Sequence, residues 1–146
     1  MGYGYWRNQI HNRRAVFHLF FRNCPFGGNY AIAAGLEPAL QWLDQFEVQA
    51  EDVEYLRTIN GNDGKPLFAN DFLTALVGMK LQLNVDAIRE GSIVFAHQPL
   101  MRIEGPLWHC QWVETLLLNV INFQTLIATK AARVCAAAQG DRVLEF

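Results

Sequence analysis

The sequence is short of cysteine, of net charge and of unbroken apolar runs, and each shortage removes a class of protein. Its three cysteines, Cys24, Cys110 and Cys135, form neither a CxxC pair nor a Cys/His metal spacing. A disulfide framework or zinc site is therefore not indicated, and reduced thiols in a cytoplasmic protein are expected. Twelve basic residues against 14 acidic ones leave a formal charge of −2, which gives no field for collecting nucleic acid or an anionic membrane. No basic, aromatic sheet of the RNA-binding kind is present either. The most apolar stretch, 106–138, is interrupted by Glu114, Asn119, Asn122, Gln124 and Lys130, short of the roughly 20 predominantly apolar residues of a membrane span. The start, MGYGYWRNQIHNRR, has no secretory h-region. P-loop, Rossmann glycine and nucleophile-elbow patterns are all missing. The four histidines, His11, His18, His97 and His109, are scattered without an i, i+4 pair, so structural roles are expected of them.

What is present is one domain's worth of core: 146 residues, 51% of them hydrophobic, enough for a single packed unit and too apolar for disorder. MGYGYWRNQIH reads as the tail of a helix. AVFHLFF, 15–21, is rich in branched and aromatic residues and ends before Pro25, so it reads as a strand with His18 turned outward. Apolar spacing from Tyr30 to Phe46 predicts a helix bent at Pro38. AEDVEYLRTI and ANDFLTALVGM open with acidic residues and predict two short helices flanking the turn-rich NGNDGKP. From Leu81 the period becomes two, and LQLNVDAI, SIVFA and LMRIEG predict three antiparallel strands broken at Glu90-Gly91 and Gln98-Pro99. Pro106 then suits the first turn of a helix running to Gly140, long enough to cross the domain. RVLEF begins another strand. With no internal repeat or linker, the fold class is α+β: a mixed helix and antiparallel-strand domain over 1–140 with a long central helix, and 141–146 as the start of a further strand. Both ends of the chain read as cut.

The chemistry concentrates in FFRNCPFGGNYAIAAG, 20–35. Arg22 ends a strand beside two glycines that lead toward a helix. Free N–H groups and the dipole at such a terminus favour an anion, and a guanidinium adds forked donors for phosphate oxygens. The same glycines also serve a plain turn with positive φ. Both readings stand on the residues alone. Trp108 and Trp112, at i, i+4, share a helix face suited to core or interface. Glu114, in an apolar context, must be paired or exposed in a groove. EGSIVFAHQPLMRIEG has the rhythm of a biotinyl or lipoyl carrier hairpin but lacks its lysine, which argues against a swinging arm.

YGYW, VFHLFFRNCPFGGNYAIAAGLE, EGSIVFAHQPLMRIEGPL, ETLLLNVINFQTLIATKAAR and LEF, taken in order, resemble nicotinate phosphoribosyltransferase along essentially the whole chain. The resemblance implies the N-terminal domain of a chain roughly three times longer, whose α/β barrel lies beyond Phe146. The family joins nicotinate to 5-phosphoribosyl 1-pyrophosphate, coupled to ATP hydrolysis through a phosphorylated histidine, with Mg²⁺ at the leaving group. That histidine belongs to the barrel, so no catalytic residue is assigned here, and none of the four histidines inherits the role. By resemblance to the related nicotinamide enzyme, Arg22 reaches phosphates in the neighbouring subunit's site of a homodimer. Phe146 matches an aromatic that stacks on the pyridine ring, and its partner tyrosine precedes Met1. ETLLLNVINFQTLIAT is also similar to the quinolinate enzyme's helix, where an arginine stands at the position of Glu114. An acid there implies rejection of quinolinate's second carboxylate, while an interfacial ion pair for Glu114 stands equally. Mg²⁺ and ATP are implied for the intact enzyme and not for this stretch, which alone is expected to be inactive. The rival reading is a non-catalytic dimerisation or carrier-like module.

Overall fold

One long helix carries the architecture. In the computed structural model, which describes residues 1–144, α5 runs from Leu107 to Ala137, 31 residues, or about 47 Å at 1.5 Å per residue. Its buried face is a stripe of every fourth residue, Val113, Leu117, Ile121, Thr125 and Thr129, the spacing that puts side chains in line along a helix. The stripe is apolar for three turns and then hydroxylic. That change of chemistry matches what packs on it.

Against the apolar part lies a three-stranded antiparallel sheet in the order β1 (Arg14–Leu19), β5 (Met101–Pro106), β3 (Asn84–Ala87). Leu19, Met101 and Ile103 join Val113, Leu117 and Ile121 in the main core. The opposite face of the sheet is polar, and one network crosses all three strands. Arg14 and Arg102 both bind the Glu104 carboxylate, and Arg102 Nη1 donates to Asp86 Oδ2 at 3.0 Å. The register supports it, since Arg102 lies directly opposite both His18 and Asp86. His18 is exposed, as the strand alternation anticipated.

Against the hydroxylic part of the stripe lies a second, two-stranded sheet, β2 (Ala31–Ile32) with β4 (Ile93–Val94). Here α5 supplies hydrogen bonds. Ile32 N–H donates to Thr129 Oγ1 at 2.9 Å, while Thr129 Oγ1 donates to Thr125 O at 2.6 Å. Ala34 N–H donates to Thr125 Oγ1 at 3.3 Å. A two-residue strand leaves most of its backbone unpaired, and these threonines complete it.

Two sequence expectations are corrected. The helix expected from Tyr30 begins only at Leu36, as α2 (Leu36–Gln45), because 31–32 pair as a strand and Gly35 turns the chain at φ 97°. Pro38 therefore falls in the first turn of α2, where its missing N–H costs nothing and no bend arises. The three expected sequential strands exist, but the middle one, β4, leaves the others to pair with β2, and β1 takes a place beside β5. The three helices α1 (Gly2–Arg7), α3 (Ala50–Arg57) and α4 (Asn70–Leu76) gather round Trp108 in a satellite core with Val53, Phe72, Leu73 and Leu76. Residues 141–144 have no regular structure, and the rest of the strand expected there lies outside the described residues. Among the described residues no helix is long and apolar enough to cross a membrane.

The Thr129 hydroxyl is wholly buried, so its removal leaves the Ile32 N–H unpaired in the interior. Thr129→Val is expected to lower stability by about 1–3 kcal/mol, read as a drop in the urea midpoint with unchanged slope. Coincident unfolding curves would show that the bond contributes nothing.

Candidate functional site

Arg22 leaves the end of β1 on an exposed stretch and forms no hydrogen bond or ion pair among the described residues. The loop that follows is tightly held. Pro25–Gly27 make one 3₁₀ turn, closed by Gly28 N–H donating to Pro25 O at 3.2 Å, and Phe26 sits in the left-handed region at φ 57°, ψ 29°. That conformation is uncommon for a large side chain and needs outside support. Support comes from the last turns of α5. Lys130 Nζ stands 4.8 Å from the Phe26 ring centroid, and the Arg133 guanidinium lies 5.6 Å from the same ring and 5.9 Å from Tyr30. Arg133 Nη1 also donates to Phe26 O at 3.3 Å. These are cation–π distances. Gly28 makes room for this placement of the guanidinium: a Cβ there would stand 1.6 Å from Arg133 Nη2, and the arginine would have to move off the loop. The glycine loop is thus a seat for Arg133, a short way along the chain from Arg22.

The loop does not lead directly into a helix N-terminus, as its sequence suggested. β2 intervenes, and the first N–H groups at α2 are already taken. Glu90 Oε1 accepts from both Gly35 N–H and Leu36 N–H, each at 2.6 Å. A carboxylate of the chain itself fills the place proposed for a bound anion. This corrects the phosphate-cradle reading of the loop while leaving Arg22 free to act through its side chain.

Glu114 is exposed on α5 and accepts from Gln111 Nε2. It lines a pocket of about 110 Å³ with His18, Cys110 and Leu118. It pairs with no cation among the described residues. Arg22 lies between β1 and the 3₁₀ turn and Glu114 on α5, and Arg22 is not among the residues lining the Glu114 pocket. Phe146 lies outside the described residues. No group of three or more His, Cys, Asp or Glu side chains gathers to hold a metal ion among the described residues, so these side chains do not fit a resident Mg²⁺ and no step is assigned to one. The Cys110 thiol donates to Ala15 O at 3.8 Å, and burial pushes its pKa up, away from reactivity. The His97 main-chain N–H donates to Phe21 O at 2.8 Å, tying the chain just after β4 to the end of β1.

Sequence reasoning missed Lys130, Arg133 and Glu90. The i, i+3 spacing of Lys130 and Arg133 on one helix was visible. That the glycine loop lies under them required the fold.

Among the described residues Arg22 is exposed without a side-chain partner, and the candidate residues Arg22 and Glu114 are not brought together. Comparison with known proteins places the chain. The model of the nicotinate phosphoribosyltransferase (NAPRTase) N-terminal domain matches residues 1–122, and the chain belongs to that family. It is 42% identical over 142 residues to the nicotinate phosphoribosyltransferase of Bacillus subtilis, covering 97% of this chain and 28% of that one. With the nicotinate phosphoribosyltransferase of Caenorhabditis elegans it shares 41% over 147 residues, 100% of this chain and 26% of the other. The crystal structure of human nicotinic acid phosphoribosyltransferase superposes with a TM-score of 0.82 at 36% identity, over 99% of this chain and 28% of that one. The chain therefore spans little more than a quarter of the length of these relatives.

One titratable group has a sharp pH signature. His109 is 3% exposed, and its Nδ1 accepts from Gln82 N–H at 3.0 Å; burial lowers its pKa below the ordinary histidine value. The unfolded chain takes up a proton near pH ~6.5 that the native state refuses. Stability is therefore full above that value and declines as pH falls from it toward the lower native pKa. Urea midpoints measured from about pH 8 down to pH 5 are expected to fall less for His109→Gln than for the unaltered chain. Parallel profiles would place the loss at other groups.

Proposed function

We propose that this chain is the N-terminal domain of an enzyme that joins nicotinate to 5-phosphoribosyl 1-pyrophosphate, releasing pyrophosphate and forming nicotinate mononucleotide for NAD biosynthesis. The observation that carries the reading is agreement with a solved enzyme of that name over 99% of the chain at 36% identity. In the reaction the pyridine nitrogen bonds to the ribose C1 as the bond from C1 to the pyrophosphate oxygen breaks. Negative charge grows on the leaving oxygens, and a fixed guanidinium is worth most where that charge develops. Arg22, exposed and without a side-chain partner among the described residues, suits this role toward the site of a second subunit in a homodimer. Phe123, Leu126 and Ile127 are exposed on α5, which supports a further protein surface packing there. ATP hydrolysis coupled to the transfer, the ligase-type energetics that follow, Mg²⁺ at the pyrophosphate and a cytoplasmic location complete the proposal, with the phosphorylated histidine outside this domain. On its own the domain is inactive.

Glu114 would act in selection. A carboxylate at the mouth of the ring site repels the second carboxylate of quinolinate and tolerates the single one of nicotinate, a discrimination by repulsion.

In the enzyme containing this domain together with the remaining length of its relatives, Arg22→Ala is expected to reduce kcat/KM for the phosphoribosyl donor by about 10²-fold. The melting temperature should stay where it was, and unchanged kinetics would remove Arg22 from the site. Glu114→Arg in the same enzyme is expected to tighten competitive inhibition by quinolinate roughly tenfold, about 1.4 kcal/mol. An inhibition constant that does not move would end the selectivity role.

A further inference from the structure

Arg22 sits on a short span whose two ends are pinned by different parts of the fold. On one side Phe21 packs against the main core, and its carbonyl accepts from His97 N–H at 2.8 Å. On the other side Phe26 O accepts from Arg133 Nη1 at 3.3 Å, beside a ring that faces the Arg133 guanidinium at 5.6 Å and Lys130 Nζ at 4.8 Å. Four residues lie between these anchors, Arg22 to Pro25.

The span has few soft torsions left. Pro25 fixes its own φ and holds the residue before it extended, as Cys24 is at φ −69°, ψ 140°. Gly28 N–H closes the following turn onto Pro25 O at 3.2 Å. Backbone freedom between the anchors is thereby confined to Arg22 and Asn23, so a displacement of the Phe26 end passes back along the chain with little to absorb it. That end is the more vulnerable of the two. Phe26 is 49% exposed and stands at φ 57°, a conformation that a large side chain holds only with outside support. Arg133 gives that support twice, through its bond to the carbonyl and through its stacking on Phe26 and Tyr30, and it does so from a 31-residue helix.

We propose that Arg133 is a positioning residue for Arg22: from the last turns of α5 it holds the Phe26 anchor, and through the Cys24–Pro25 link it fixes where the Arg22 guanidinium stands against the phosphoribosyl donor. The role rests on the reading of Arg22 as a contact to the donor's phosphates, and Arg133 itself touches no substrate in it. Positive charge alone does not suffice, because a lysine has no planar fork with which to bond the carbonyl and stack on the rings together. Gly28 gives an independent handle on the same contact. Its φ of −87° and ψ of 178° suit any residue, so alanine there adds no backbone strain, yet its Cβ would stand 1.6 Å from Arg133 Nη2 and drive the guanidinium off the loop.

The test uses Arg133→Ala, Arg133→Lys and Gly28→Ala in the enzyme containing this domain together with the remaining length of its relatives, each alone and in an Arg22→Ala background. Alone, each is expected to lower kcat/KM for the phosphoribosyl donor by about tenfold, with KM for nicotinate unchanged. In the Arg22→Ala background each is expected to add less than about twofold, because an effect relayed through Arg22 has nothing left to act on. A merely structural role would give the same loss in both backgrounds and would move nicotinate binding with it. Donor kinetics untouched by Arg133→Ala, losses that add to that of Arg22→Ala, or full activity in Arg133→Lys would each overturn the positioning role while leaving Arg22 in the site. Arg22→Ala without effect on donor kinetics would overturn it together with the reading on which it rests. Should one substitution cost the fold, the other, on the opposite side of the contact, still decides.

Discussion

The domain depends on a five-residue stripe of α5 that changes chemistry partway along. Three apolar turns, Val113, Leu117 and Ile121, bury against the three-stranded sheet, and two hydroxylic turns, Thr125 and Thr129, hydrogen-bond the short second sheet. Had the stripe stayed apolar, β2 would lose the partners of Ile32 N–H and Ala34 N–H, and two residues cannot hold a strand position by ladder bonds alone. Once β2 is fixed, the chain just before it is fixed too, and that chain is the loop of Phe26 and Gly28. The same helix then reaches past β2 with Lys130 and Arg133 to seat that loop. Support for the Phe26 loop is thus a property of the helix's far end, about one turn beyond the last buried residue of the stripe, Thr129.

Strain and support are matched there. A phenylalanine with positive φ is tolerated because its ring is covered by two cations and its carbonyl accepts from Arg133. The guanidinium can approach only because residue 28 has no side chain. Each group in this arrangement has one neighbour that makes it possible, so the loop has little freedom to relax. Arg22, four residues before Phe26, has no side-chain partner among the described residues.

Much of this was legible in the sequence, and what was not follows a pattern. The long helix, the two short acidic-capped helices and the β1 and β5 strands are read from periodicity, a property of the local chain. The start of α2 was misplaced by six residues because Ala31, Ile32, Ala33 and Ala34 have helical spacing on paper. Thr125 and Thr129, 97 residues further along in the case of Ile32 and Thr129, drew them into an extended form. Tertiary hydrogen bonds overrode a weak local preference. β4 was read as a strand but given the wrong partner, since alternation says that a segment is extended and says nothing of which edge it meets. The family resemblance, by contrast, rested on ordered blocks and did not need the topology.

The two main helix N-termini show how the fold distributes negative charge. At α2, Glu90 is brought from the β3–β4 connection to accept two backbone N–H groups, and the sequence around Gly35 gave no sign of it because the acid lies 55 residues away. At α5 the chain brings no acid at all, although a longer helix presents the stronger demand. The remaining carboxylates nearby are committed elsewhere: Glu104 is held below the usual carboxylate range, first by Arg102 and then by Arg14, and Glu47 pairs with Lys80. The two helix ends thus differ in kind: α2 is closed by a carboxylate brought from a distant connection, and the first turn of α5 is tied down by backbone carbonyls, Arg13 O and His11 O, which accept from Leu107 N–H and Trp108 N–H.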